Sequence, residues 1–155
     1  MAINIGSQGK WPANKLSNFA AAPFIIDGVE CASAEGFIQA IKFPNPDKQK
    51  QVCQLVGRKA KFEGKKAKKR IQRKGKVWWQ GQEYDFRSDE HFQLIERALR
   101  AKYTQNDSAK RALLATRNGT LTHNMGYKES KWTSLPAREF IRMLYKIRTE
   151  LQKQK

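Results

Sequence analysis

Acid is what this chain is short of: fourteen Asp plus Glu stand against thirty-one Lys plus Arg in 155 residues, a formal net charge of +17. Such an imbalance repels itself and attracts polyanions, so nucleic acid or a phosphate-bearing small molecule is the natural partner. Cysteine is scarce too. Cys31 and Cys53 show neither metal-site spacing nor a disulfide framework, and read as small buried residues. The two histidines, His91 and His123, are far apart and have no acidic cluster beside them, so neither metal nor cofactor is expected. No run approaches the ~18 apolar residues needed to span a bilayer, and the N-terminus lacks a basic-then-apolar signal. The expectation is a cytoplasmic protein with reduced thiols. Repeats and linkers are missing as well, and the length suits a single domain, 1–155, able to bury its own core.

Local signals divide the chain into helices and one hairpin. Phe24-Ile25-Ile26 and Val29-Glu30-Cys31 flank Asp27-Gly28, the dipeptide suited to a two-residue turn with positive φ. Ser33 then caps a helix with Glu35 in its first turn, and Phe43-Pro44 ends it. Asn45 and Pro46 start a second helix that reaches about Val56 and closes at Gly57. From Arg58 to Lys76 eleven basic residues face one acid, Glu63, a pattern read as helix with a solvated face. Ser88-Asp89-Glu90 opens a long helix carrying Phe92, Ile95, Leu99 and Tyr103, and a short one follows from Ser108 to about Thr116. The last begins near Ser134-Leu135-Pro136, with Phe140, Met143, Leu144, Ile147 and Leu151 as its core stripe. Residues 1–22 show no clear period, and Leu16-Ser17-Asn18-Phe19 reads as a fixed loop or short strand. The class is helix-dominated α+β with a small sheet.

One helix carries chemistry. Glu35, Gln39 and Lys42 stand at i, i+4 and i+7 within Ser33-Ala34-Glu35-Gly36-Phe37-Ile38-Gln39-Ala40-Ile41-Lys42, and so share a face of an otherwise apolar helix. A buried carboxylate and ammonium are costly unless they have partners or a task. The alternative is an ordinary Glu and Lys reaching to water.

The surrounding residues resemble a known family. Leu16-Ser17-Asn18-Phe19, Pro23-Phe24, Asp27-Gly28 and Ser33-x-Glu35-x-x-x-Gln39-Ala40-x-Lys42-Phe43 resemble, in order and spacing, the opening signature of the NADAR family, the YbiA-like proteins associated with NAD and ADP-ribose metabolism. Ala98-Leu99-Arg100-Ala101-Lys102-Tyr103 and Leu113-Leu114-Ala115-Thr116 with Gly119 and Leu121 resemble later blocks, so the likeness runs from about residue 15 to about 150. It implies a YbiA-like fold and a metal-independent N-glycosidase, acting either on riboflavin-synthesis intermediates or on ADP-ribose attached to guanine in nucleic acid. The charge of +17 favours nucleic acid, because each neutralised phosphate adds affinity; DNA is expected before RNA.

Under that resemblance Glu35 is the carboxylate that stabilises oxocarbenium character or orients water. Lys42 donates a proton, binds phosphate, or attacks the anomeric carbon as a desolvated amine. Gln39 holds ribose hydroxyls, Asn18 reaches the same pocket from the preceding loop, and Phe19 and Ser33 are substrate-binding candidates beside them. Family members carry a tryptophan before the long helix and an acid three residues ahead of another tryptophan. Here Trp78, Trp79 and Phe86 compete for the first role, and Glu129 stands before Trp132 where the family has aspartate. Glu129 is thus the candidate second acid. Arg58 is the candidate for the pyrophosphate, and Lys65, Lys66, Lys68, Lys69, Arg70 and Arg73 for nucleic-acid phosphates without sequence reading. A rival of a different class is a nucleic-acid-binding module with a pocket that no longer turns over.

Overall fold

The computed structural model describes residues 2–154; Met1 and Lys155, the two ends of the expected domain, lie outside the described residues. Strand β1 (Ala2–Asn4) and the single-turn helix α1 (Ala13–Leu16) come first, where sequence periodicity is silent. Asp27 and Gly28 take φ of 49° and 78° and join β2 (Phe24–Ile26) to β3 (Val29–Cys31), with Phe24 opposite Cys31 and Ile26 opposite Val29. Alternation then turns Phe24, Ile26, Val29 and Cys31 into the core.

Ser33 starts α2 (Ala34–Ala40) as expected: its Oγ accepts the Gly36 N–H at 3.0 Å and donates to the Leu55 carbonyl at 2.8 Å. The regular helix is shorter than its spacing suggests. Beyond Ala40 the chain tightens, the Lys42 N–H donating to the Gln39 carbonyl at 3.2 Å and that of Phe43 to Ala40 at 3.1 Å.

Asn45 caps α3 (Pro46–Cys53), which ends before the expected Val56. The Cys53 carbonyl is taken by the Ala32 N–H at 2.8 Å and that of Leu55 by Ser33, so partners outside the helix satisfy its terminal acceptors. Gly57, read as a stop, instead opens α4 (Gly57–Lys65). The basic run forms two helices rather than one, α4 and α5 (Lys68–Lys74), joined through Lys66 and the buried Ala67 and ended by Gly75 at φ 62°.

Trp78 and Trp79 lie in a hairpin that the sequence reading lacks, β4 (Lys76–Trp79) with β5 (Gln82–Asp85), turned by Gln80 and Gly81. Helix α6 (Asp89–Gln105) is capped by Ser88 and α7 (Asp107–Ala115) by Asn106; β6 (Thr120–Thr122) and α8 (Ala137–Lys153) complete the chain. Strand β6 pairs in parallel with β1, Ile3 opposite Leu121, joining the start of the chain to a segment far along it.

At the centre α2 packs on α3, α4 and α6, and α6 in turn carries β2, α7 and α8. Phe140, Met143, Leu144, Ile147 and Leu151 are all buried, as their spacing on α8 predicts. Among the described residues, eight helices and three two-stranded sheets make a helix-dominated α+β fold. Also among them, no helix is long and apolar enough to cross a membrane, and no group of three His, Cys, Asp or Glu could hold a metal ion. Cys31 and Cys53 are free and buried.

Candidate active site

The floor of the site is α2. Its first turn is tied to the Leu16–Phe19 loop, because the Glu35 N–H donates to the Asn18 carbonyl at 2.9 Å. One turn on, the Gln39 side-chain amide donates to the Glu35 carboxylate at 2.6 Å. Gln39 is itself seated by Gly64 of α4: a Cβ at that glycine would fall 1.7 Å from Gln39 Oε1. Close approach of two helices therefore aims the carboxylate. Lys42 follows in the tight turn, where its carbonyl accepts Arg70 Nη1 at 3.4 Å and the Arg70 guanidinium lies 5.8 Å over the Phe43 ring.

Glu35, Gln39 and Lys42 line one cavity of about 420 Å³, a volume within the usual range for small-molecule sites. Asn18 and Phe19 form one wall; Lys61, Gly64 and Lys65 of α4 with Lys68 of α5 form a cationic one. The connection from β6 to α8 supplies most of the remainder, including His123, Met125, Tyr127, Lys128 and Trp132, and Gly6 and Ser7 join it from the segment after β1. Burial raises the Glu35 carboxyl above the usual carboxylate range, against the Gln39 hydrogen bond and the nearby Lys42, Lys61 and His123. Burial likewise lowers the Lys42 ammonium; Glu35 opposes that shift and Lys61 adds to it. The cavity thus holds an acid that favours its proton more than usual and an amine that favours it less.

Several expected site residues stand elsewhere. Ser33 is fully buried beneath α2 as its cap. Trp79 packs edge-on to Phe37 at 4.9 Å and donates Nε1–H to Asp27 at 2.8 Å, and half-buried Trp78 bonds through its backbone to Ile41 and Gln49. Their hairpin makes them core and edge, not cavity wall. Of the aromatics singled out, Phe19 and Trp132 line the cavity, while Phe86 supports Trp132 from behind at 5.8 Å between ring centres. Glu129 is exposed, and its carboxylate accepts the Ala137 N–H at 2.8 Å, capping α8 rather than facing Glu35. Arg58 is exposed on the first turn of α4, away from the lining.

Of the six basic residues assigned to phosphate, Lys65 and Lys68 reach the cavity. Lys66 pairs with Glu63 at 2.7 Å, Arg70 braces the Lys42 turn, and Lys69 and Arg73 are exposed on α5 outside the lining. His123 is a lining residue that sequence reasoning passed over. Its Nδ1 lies 2.9 Å from the Ile5 carbonyl, which can only accept, so Nδ1 carries hydrogen and the neutral ring keeps its lone pair on Nε2. The β1–β6 pairing creates that contact, and no local sequence signal announces it.

A family model described as bacteriophage protein GP30.3 matches residues 10–149. An uncharacterized 17.1 kDa protein in the Gp30-rIII intergenic region of Enterobacteria phage T4 is 32% identical over 150 residues, covering 96% of this chain and 98% of that protein. The solved structure of the E. coli protein YbiA matches with a TM-score of 0.67 at 21% identity, over 99% of this chain and 86% of YbiA. That likeness shows the fold. From a family model spanning nearly the whole length and a YbiA-like architecture beneath it, the chain belongs to the bacteriophage protein GP30.3 family, a NADAR-type family of YbiA-like proteins.

Proposed function

We propose that the protein is an N-glycosidase that removes ADP-ribose from guanine in nucleic acid. The observation that carries this reading is the sharing of one cavity by Glu35 and Lys42, both burdened by burial, with Gln39 between them. Cleaving a ribose–nitrogen bond needs a group to take the sugar carbon and a proton for the departing base. A neutral Lys42 amine attacks the anomeric carbon while the C–N bond to guanine breaks. Protonated Glu35 gives its proton to the leaving base nitrogen, a role that a raised pKa favours. The resulting ribosyl-amine opens to an imine. Water adds to that imine under Glu35 carboxylate as base, releasing ADP-ribose and restoring both groups.

The remaining walls suit the rest of such a substrate. Lys61, Lys65 and Lys68 offer the charge that a diphosphate requires, and Trp132 and Phe19 offer faces for rings. The excess of seventeen positive charges steers a polyanion to the cavity mouth. Incubation with an oligonucleotide ADP-ribosylated on guanine, in the presence of borohydride, tests the chemistry. Reduction is expected to trap the sugar on wild-type protein, with the added mass on the peptide holding Lys42 and none on Lys42→Ala. Release that proceeds without any trapped adduct contradicts the amine's covalent part.

A further inference from the structure

Lys102 is the most anomalous side chain outside the cavity. It belongs to α6, is fully buried, and its amine has one acceptor among the described residues, the Ser17 carbonyl, at a long 3.5 Å. Its other near neighbour is the ring of Tyr103, 4.8 Å from Nζ. Three N–H donors with one distant acceptor are a poor reason to bury an ammonium, since an unbranched apolar side chain would fill the same space without desolvating a charge. Burial and the nearby Lys15 charge push this amine down to about 7. The fold therefore bears a penalty at this position that packing does not explain.

What the amine touches is the edge of the site. Ser17 precedes Asn18, whose carbonyl accepts the Glu35 N–H at 2.9 Å and whose side-chain Oδ1 is buried with no hydrogen-bond partner among the described residues. Tyr103, also fully buried, reaches the Leu16 carbonyl at 3.5 Å, so neighbouring residues of α6 grip consecutive carbonyls of the loop. Asn18 lines the cavity, and a small rotation of its side chain would offer this unpartnered amide oxygen to a ribose hydroxyl. We infer that Lys102 is a positioning residue: it holds the Ser17 carbonyl so that Asn18 keeps its place in the cavity lining, with its unpartnered side-chain oxygen available to a sugar hydroxyl. The functional consequence rests on the glycosidase reading above; the positioning itself does not.

Lys102→Met separates this role from a merely structural one. A residue kept for stability lowers the melting temperature when replaced, in step with any loss of activity. A residue kept for positioning does the opposite, because removing a buried, poorly paired amine relieves the fold. The expected result is a higher melting temperature, a shifted Asn18 side-chain amide resonance, and at least tenfold slower release of ADP-ribose. Asn18→Ala added to Lys102→Met should slow release little further, since both remove one interaction. If wild-type protein releases nothing, the glycosidase reading fails, and melting temperature and the Asn18 resonance still judge Lys102. A lower melting temperature, an unmoved Asn18 resonance, or additive losses in the double variant overturn the inference.

Discussion

Gly64→Ala should disable the site while leaving the fold standing. A Cβ at Gly64 would lie 1.7 Å from Gln39 Oε1, 2.5 Å from its Cδ and 3.1 Å from its Cβ. The two nearest atoms belong to the end of a flexible side chain, so Gln39 swings aside, and only the 3.1 Å approach to its fixed Cβ asks α4 and α2 to give by a few tenths of an ångström. Its 2.6 Å hydrogen bond to the Glu35 carboxylate is then lost. To the carboxylate form that serves as base, such a hydrogen bond contributes about 1.5–3 kcal/mol, which corresponds to roughly 10- to 150-fold in rate if it orients the carboxylate in the hydrolytic step. The same bond opposes the upward shift of Glu35, so its removal moves the carboxyl's ionisation to still higher pH. Alanine in a helix interior is favoured over glycine by up to about 1 kcal/mol, which partly offsets the lost bond in stability. Release of ADP-ribose measured against pH, beside thermal melting, reads all three effects. A variant within twofold of wild type, with an unmoved pH profile, would show that Gln39 does not set Glu35.

Gly36→Ala is the contrasting case, because its Cβ would meet the backbone carbonyl of Leu55 at 2.7 Å and those of Cys53 and Val52 at 3.0 Å; overpacking of about 1–3 kcal/mol should appear as a lower denaturation midpoint. His91 is buried with its pKa pushed down to about 4, so the folded state binds fewer protons than the unfolded one between about pH 4 and 6.5. Stability should therefore fall by about 3 kcal/mol on acidification through that window. His91→Phe should flatten this slope in urea titrations, although it also strips the Arg87 N–H of its 2.9 Å acceptor and lowers stability throughout. Replacing Lys61, Lys65 and Lys68 together by alanine should weaken oligonucleotide binding and reduce the salt slope of log K by about 2; an unchanged slope would place the polyanion elsewhere.

The hairpin at Asp27-Gly28, the Ser33 cap and the Glu35–Gln39–Lys42 stripe were legible because each depends on neighbours in sequence: turn φ, an orphan N–H, a helical period. Gly57 misled for the same reason. A glycine after an apolar helix suggests a stop, yet the outcome turned on Ala32 and Ser33 taking the carbonyls of Cys53 and Leu55, a tertiary event. The tryptophans Trp78 and Trp79 carry no local mark of their fate, since Gln80-Gly81 is a weaker turn signal than Asp-Gly and the hairpin went unread. Glu129 keeps the family's spacing to Trp132 but is engaged as a helix cap. His123 and the β1–β6 pair were invisible because residues far apart in the chain create them.

The most direct measurement is release of free ADP-ribose, with recovery of unmodified guanine, from a guanine-modified oligonucleotide by wild-type protein, Glu35→Gln and Lys42→Ala. Turnover by wild type, and binding without turnover by both variants, is the predicted result. Equal turnover by all three, or none by wild type, would contradict the role given to the shared cavity.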